Sequence, residues 1–274
     1  MSLYRMTSLR RIILPLLSRL NPGDITIRHH HTGDPVRLHS FRHKGYWYHG
    51  RKREKETMEL FRRLLSPGDT VIEVGGHIGY ISLYFKWLVK QGEVYVFEPG
   101  ANNLPYMRRN VVPRGIHLIE KAAGDHNGQE VFFLESLTGQ NNSFVPKFEG
   151  LEANAANAFI GDSKVTEVKV EMIRLDDFVE SHSLIPRFVK IDVEGFELSV
   201  LKGMTNTIRQ HCPKMMVEVQ ADQAAIFDLL SSAGYILFSD QLSVCSRPAD
   251  LCVNIFALHA ERHQELLKQL GVHS

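Results

Sequence analysis

A chain of 274 residues with 43% hydrophobic and 23% charged side chains holds enough apolar material for one large domain, and these proportions exclude collagen, fibre and disordered classes. The net charge of +1 hides a polarity: residues 1–63 carry 14 Lys and Arg against 5 acids, and the remainder 18 against 26. No apolar run approaches about 20 residues, so no transmembrane helix is expected, and three cysteines without C-x-x-C spacing predict neither a disulfide framework nor a zinc site.

The first twenty residues set Arg5, Arg10, Arg11 and Arg19 around a short apolar core at 12–17, too short for a secretory leader and followed by no A-x-A-like site. Reduced thiols and a cytoplasmic location are the expectation. Residues 25–49 alternate around Gly33-Asp34-Pro35 and predict a hairpin, and residues 54–65 predict a helix. Together they form a basic N-terminal extension, residues 1–63, ahead of a main domain over 64–274. The extension also holds His29, His30, His31, His39, His43 and His49. It reads either as a surface for a membrane or another anionic polymer or as a basic flap on the acidic body. Nucleic-acid motifs are absent, so no specific nucleic-acid partner is expected. Tyr46, Trp47 and Tyr48 suit stacking on a sugar and a hairpin packing cluster equally well.

From Pro67-Gly68-Asp69 onward, strands and helices alternate. Strands are predicted over 71–74, 94–97 and 116–120, with helices over 81–90 and 101–111. Further strands fall at 189–193 and 215–219, around a helix over 196–210. A helix over 221–233 and strands at 235–238 and 253–258 complete the pattern. It implies an α/β fold with a doubly wound, mostly parallel seven-stranded sheet, ending in an antiparallel edge hairpin. Residues 124–174 are too long for a simple connection and read as a substrate-facing insertion. Within it, residues 138–143 (Thr-Gly-Gln-Asn-Asn-Ser) are rich in short hydrogen-bonding groups, and residues 164–173 alternate like a strand.

The turn after the first core strand carries the chemistry. Glu73-x-Gly75-x-x-x-Gly79 lacks the first glycine of a dinucleotide fingerprint and sets a carboxylate close to where a pyrophosphate would sit. That arrangement disfavours a nicotinamide dinucleotide and suits a cationic nucleoside. Glu98, closing the second strand, is placed to accept hydrogen bonds from both ribose hydroxyls. S-adenosylmethionine, with its sulfonium and ammonium charges, fits both features.

The ordered set Glu73 to Gly79, Phe97-Glu98-Pro99, Ala122-Ala123-Gly124-Asp125, Asn142-Ser143, Arg174-Leu175-Asp176-Asp177-Phe178 and Lys190-Ile191-Asp192-Val193-Glu194-Gly195 resembles the FkbM family of S-adenosylmethionine-dependent methyltransferases. The resemblance spans roughly residues 66–220 and implies a Rossmann-like class I methyltransferase fold. It implies that Glu73, Gly75, His77 and Gly79 line the methionine end, Glu98 the ribose, and Ala123 with Asp125 the adenine. The family usually has Asp, Ala and Asn where this chain has Glu73, Gly76 and His77.

Methyl transfer of this kind is an in-line displacement that depends on alignment and gains from a base near an acceptor hydroxyl. Asp192 is the first choice for that base, then Glu194, with His77 third; the two acids end the fourth core strand, where alternation gives positions 192 and 194 a shared direction. Asp192, Glu194 and Glu218 also form a set of hard oxygen ligands suited to magnesium or calcium, although a buried, hydrogen-bonded structural acid is the commoner explanation of Glu218. No metal site is assigned. The expected activity is O-methylation of a sugar, glycan precursor or specialised metabolite, the acceptor class coming from the resemblance. A nicotinamide-dependent oxidoreductase and a non-catalytic binding module recruited through the basic extension are the alternatives.

Overall fold

The structure, a computed structural model, describes residues 23–135, 139–145 and 165–272. The arginine-rich leading segment and Thr138 lie outside these residues. Among the described residues no helix is long and apolar enough to cross a membrane.

Seven strands form the central sheet. They are β3 (Val71–Val74), β4 (Val94–Phe97), β5 (His117–Ile119), β9 (Phe188–Ile191), β10 (Lys214–Glu218), β11 (Tyr235–Ser239) and β12 (Asn254–His259). Pairing is parallel from β10 through β9, β3 and β4 to β5, and antiparallel where β12 meets β10 and β11. The sheet is therefore the predicted one, edge hairpin included. Every residue of β3 and β9 is buried, as central parallel strands covered on both faces require.

Helices cover both faces. On one side α2 (Lys55–Leu64), α3 (Tyr80–Val89), α4 (Leu104–Asn110) and α9 (Gln264–Leu270) close a core in which Phe61 meets Phe85 and Phe188 edge-on, at 4.9 and 5.7 Å between ring centroids. On the other side lie α5 (Leu175–Ser181), α6 (Glu197–Lys202), α7 (Thr205–His211) and α8 (Gln223–Ser232), burying Phe178, Val200, Leu201, Ile208, Ile226 and Leu230.

The single helix expected over 196–210 is two. At Gly203 a Cβ would fall 1.8 Å from the Gly124 carbonyl oxygen, so the helix breaks where the chain presses against the insertion. Asp176 then holds the start of α7, its Oδ1 accepting from the Thr207 N–H and hydroxyl, both at 2.8 Å.

The insertion contributes a three-stranded sheet, β6 (Ala122–Gly124), β8 (Val165–Arg174) and β7 (Gly128–Glu135), in that spatial order. The reading of 164–173 as a strand corresponds to β8; its antiparallel partner β7 had no counterpart in the sequence reading.

The described part of the extension forms the hairpin β1 (Asp24–Arg28) and β2 (Pro35–His39), followed by α1 (Lys44–His49). The hairpin is shorter than predicted, because residues 44–49 are helical. Its contacts with the body include rings, amides and a hydroxyl: His29 stacks on Tyr80 at 3.9 Å, Asn110 both donates to and accepts from the Arg37 backbone, and the Tyr106 hydroxyl donates to Asp24 Oδ1 at 2.7 Å. An ion pair here runs from Arg114 of the body to Asp34 of the extension.

Candidate functional site

The C-terminal ends of β3, β4, β9 and β10 open into one cavity, roofed by the extension and by residues 139–144 of the insertion. This is where open α/β sheets bind ligands. The exit from β3 is possible only because Gly75, at φ +86°, lacks a Cβ: one would sit 1.8 Å from the Asp192 carbonyl oxygen. The N–H groups of Gly75 and Gly76 both donate to Phe97 O, which draws the end of β4 against the turn.

Glu98 is thereby clamped. Its Oε2 accepts from the His77 N–H at 2.8 Å, and its Oε1 accepts from the Gly100 N–H at 2.8 Å and from Asn103 Nδ2 at 3.2 Å. Burial pushes this carboxyl up to about 7, against the pull of those three donors, and the Glu73 carboxyl adds to the rise. A ligand hydroxyl would supply the further donors that favour its ionised form.

Lys190, near the end of β9, is buried with its Nζ 2.9 Å from Asp192 Oδ2 and 3.6 Å from Glu73 Oε1. Burial alone would lower the Lys190 pKa, but the Asp192 and Glu73 carboxylates raise it overall. Asp192 shows the converse: burial opposes its charge, yet Lys190, a hydrogen bond with Glu218 and the nearby Arg53 hold it below the usual carboxylate range. Glu73 shifts up because burial outweighs Lys190 and the Ser82 hydroxyl that donates to it. The Lys190 charge is therefore shared unequally, and Asp192 is the carboxylate it keeps ionised.

Asp192, Glu194 and Glu218 each bring an oxygen within 4.8 Å of the others. The expected route to the first pair, alternation along a strand, is not the one taken. β9 ends at Ile191, and Glu194 reaches the group through a left-handed backbone at φ +54°. Burial, and then the Asp192 charge, push the Glu194 and Glu218 carboxyls upward, the opposite direction to Asp192. Gln220 Nε2 donates to Glu194 Oε2 at 2.8 Å.

The extension completes the wall. The Tyr46 hydroxyl lies 3.0 Å from His77 Nδ1, and the Arg53 guanidinium sits 4.6 Å above the Tyr46 ring while its Nη2 pairs with Glu54 at 2.9 Å. Tyr46 thus belongs to the cavity, whereas Trp47 and Tyr48 are exposed.

Of the residues singled out from sequence, Glu73, Gly75, His77, Glu98, Ala123, Asp192 and Glu194 line this cavity. Two are elsewhere. Gly79 precedes α3 at φ +82° and packs near Val111 and Met107. Asp125 is exposed, its Oδ1 2.8 Å from His126 Nδ1, and it does not line the cavity. The sequence reading missed Arg53 and Asn103, gave Lys190 no role, and reached Asn141 only as part of the polar segment 138–143. No periodicity marks them; the signal within reach was Lys190's place two residues before Asp192 in a buried strand.

Residues 73–237 match the family model described as the methyltransferase FkbM domain, more than half of the chain. The chain belongs to the FkbM methyltransferase family. The FkbM region includes the glycine turn, Glu98, the insertion and the acidic group, while Tyr46 and Arg53 come from outside it. Among curated relatives, Methyltransferase 1 of Beauveria bassiana is 25% identical over 183 residues, 62% of this chain and 73% of that protein. The hexuronic acid methyltransferase AglP of Haloferax volcanii is 28% identical over 203 residues, 73% of this chain and 76% of that protein. A solved FkbM methyltransferase from Methylobacillus flagellatus aligns with a TM-score of 0.44 at 18% identity, covering 73% of this chain and 50% of that one.

Proposed function

We propose that this FkbM protein is an S-adenosylmethionine-dependent O-methyltransferase whose acceptor is a hydroxyl of a sugar, glycan precursor or related metabolite. The observation that carries the reading is the clamped, buried Glu98 carboxyl at the end of β4, beside the glycine turn that draws that strand end in. The residues present fit the cofactor: Glu98 would hold the ribose, Ala123 the adenine, and Glu73, Gly75 and His77 the methionine end. S-adenosylmethionine would supply the methyl group as an electrophilic carbon on a sulfonium.

Asp192 would orient the acceptor hydroxyl and take its proton, while Lys190 fixes the carboxylate's rotamer and charge. Tyr46 and Arg53 would close the acceptor side and exclude water. The relative AglP, named for methylating a hexuronic acid, supports a sugar as the acceptor class. Three free cysteines are compatible with a reducing cytoplasm.

Calorimetric titration with S-adenosylhomocysteine, and separately with NAD, tests this reading on the wild type and Glu98→Ala. Micromolar binding of adenosylhomocysteine that the variant loses is expected. Folded protein that binds NAD and ignores adenosylhomocysteine would overturn it in favour of the oxidoreductase.

A further inference from the structure

Three described residues bring a fixed positive charge to the cavity wall: Arg53, Lys121 and Lys190. Two of them are committed within the protein, Lys190 to Asp192 and Glu73, and Lys121 to Glu171 on β8. Arg53 holds one carboxylate through one nitrogen, its Nη2 lying 2.9 Å from Glu54 Oε1. Among the described residues it makes no other ion pair and no further side-chain hydrogen bond, yet none of its nitrogens is a buried donor without a partner. The donors that Glu54 leaves unused are therefore accessible, on a side chain that is 28% exposed and rests on the Tyr46 ring.

Burial works against the Arg53 charge, and Tyr46, Glu54 and Asp192 outweigh it. Arg53 in turn is among the groups that hold Asp192 ionised, so guanidinium and candidate base act on each other across the acceptor side of the cavity. A neutral sugar needs only hydroxyl and amide partners, and a partly desolvated guanidinium is a costly way to supply them. A planar fork of charged donors matches a carboxylate or a phosphate. Glu54 and Asp192 lie close to this fork, so a dianionic phosphate meets more repulsion there than a carboxylate does. Arg53 also precedes residues 73–237, the part shared with the family, and belongs to the extension that forms this chain's own wall.

We infer that Arg53 selects the acceptor: the hydroxyl to be methylated belongs to a molecule that also carries a carboxylate, as in a uronic acid, and the unused edge of the guanidinium pairs with that carboxylate. The inference rests on the O-methyltransferase reading and narrows its acceptor to an anionic sugar.

The test titrates protein saturated with S-adenosylhomocysteine with glucuronate, galacturonate and mannuronate, and with glucose, galactose and mannose. In wild type at least one uronate should bind about tenfold or more tightly than its neutral parent. Arg53→Gln should abolish that preference. Glu54→Gln, which releases the guanidinium from its resident carboxylate, should increase it by about threefold or more, a gain that a merely structural role for Arg53 does not produce. Should Arg53→Gln fail to fold, wild type and Glu54→Gln still decide. The inference is overturned if wild type prefers no uronate, if the preference survives Arg53→Gln, or if Glu54→Gln lowers it. It is equally overturned if Arg53→Gln weakens adenosylhomocysteine but not 5′-methylthioadenosine, which lacks the amino-acid end; the guanidinium then serves the methionine carboxylate. Wild type that does not take up adenosylhomocysteine would overturn the methyltransferase reading, and this inference with it.

Discussion

Lys190 Nζ lies 2.9 Å from Asp192 Oδ2, closer than its 3.6 Å approach to Glu73, so the buried ammonium commits its charge mainly to the carboxylate at the mouth of β9. Asp192 is then ionised throughout the neutral range and, by the same pairing, a weak base. Its contribution to methyl transfer is alignment of the acceptor hydroxyl with acceptance of the proton late in the reaction. Asp192→Asn should lower kcat by about 100-fold or more while leaving the Kd for S-adenosylhomocysteine within about threefold, since a neutral amide forfeits little ground-state binding. Single-turnover rates alongside calorimetry separate the two. Collapse of cofactor affinity with an unchanged rate on bound substrate would instead make Asp192 the seat of the methionine ammonium.

The Glu98 carboxyl, pushed up to about 7 by burial, makes cofactor binding depend on pH. Ribose hydroxyls donate to its ionised form, so affinity should rise between pH 6 and 8 with release of up to one proton on binding. The sign for the ligand-free fold is opposite. A folded pKa above the ordinary glutamate value near 4.3 means that the native state holds the extra proton, so this group's contribution to stability falls as pH rises through that window to about 7. Glu98→Gln should flatten both profiles. Titrations in buffers of different ionisation enthalpy count the protons, and a pH-independent affinity in wild type would remove Glu98 from the binding equilibrium.

Gly75 and Gly115 make a controlled pair. Both have positive φ, but a Cβ at Gly75 meets the Asp192 carbonyl oxygen at 1.8 Å, and one at Gly115 meets nothing within 4 Å. Gly115→Ala should cost about 1 kcal/mol from backbone strain alone. Gly75→Ala should cost about 3 kcal/mol or more and abolish cofactor binding, because β3 and β9 must separate at the site. Urea denaturation of the two variants measures the difference.

Much of this architecture was legible because buried parallel strands announce themselves: Val71 to Val74 and Phe188 to Ile191 are apolar runs interrupted only by Glu73 and Lys190. Both interruptions line the site, but only Glu73 was singled out from the sequence. The break at Gly203 was not legible, because its cause is the Gly124 backbone pressing from nearly eighty residues away. β7 was hidden for a related reason: it pairs with β8 and, through a single bridge at Phe133, with Ser143, and it keeps much of its surface exposed, so its pattern is weak. The convergence of Asp192, Glu194 and Glu218 was anticipated on a strand geometry that the left-handed turn at Glu194 replaces. Tyr46 and Arg53 reach the cavity from the extension, and no local pattern encodes that long-range packing.

His77 has two separable jobs. Its backbone N–H, held at φ +51°, completes the Glu98 clamp, while its ring takes the Tyr46 hydroxyl at 3.0 Å. Asparagine tolerates the left-handed region, so His77→Asn should keep the clamp and bind S-adenosylhomocysteine within about threefold of wild type. It loses the link to Tyr46, and the acceptor KM should rise if that contact shapes the acceptor side. A β-branched residue is strained at this backbone angle by about 1–3 kcal/mol. His77→Val should therefore weaken adenosylhomocysteine binding by at least about tenfold through displacement of the N–H from Glu98. Equal cofactor affinity in the two variants would show that the clamp does not depend on this backbone conformation.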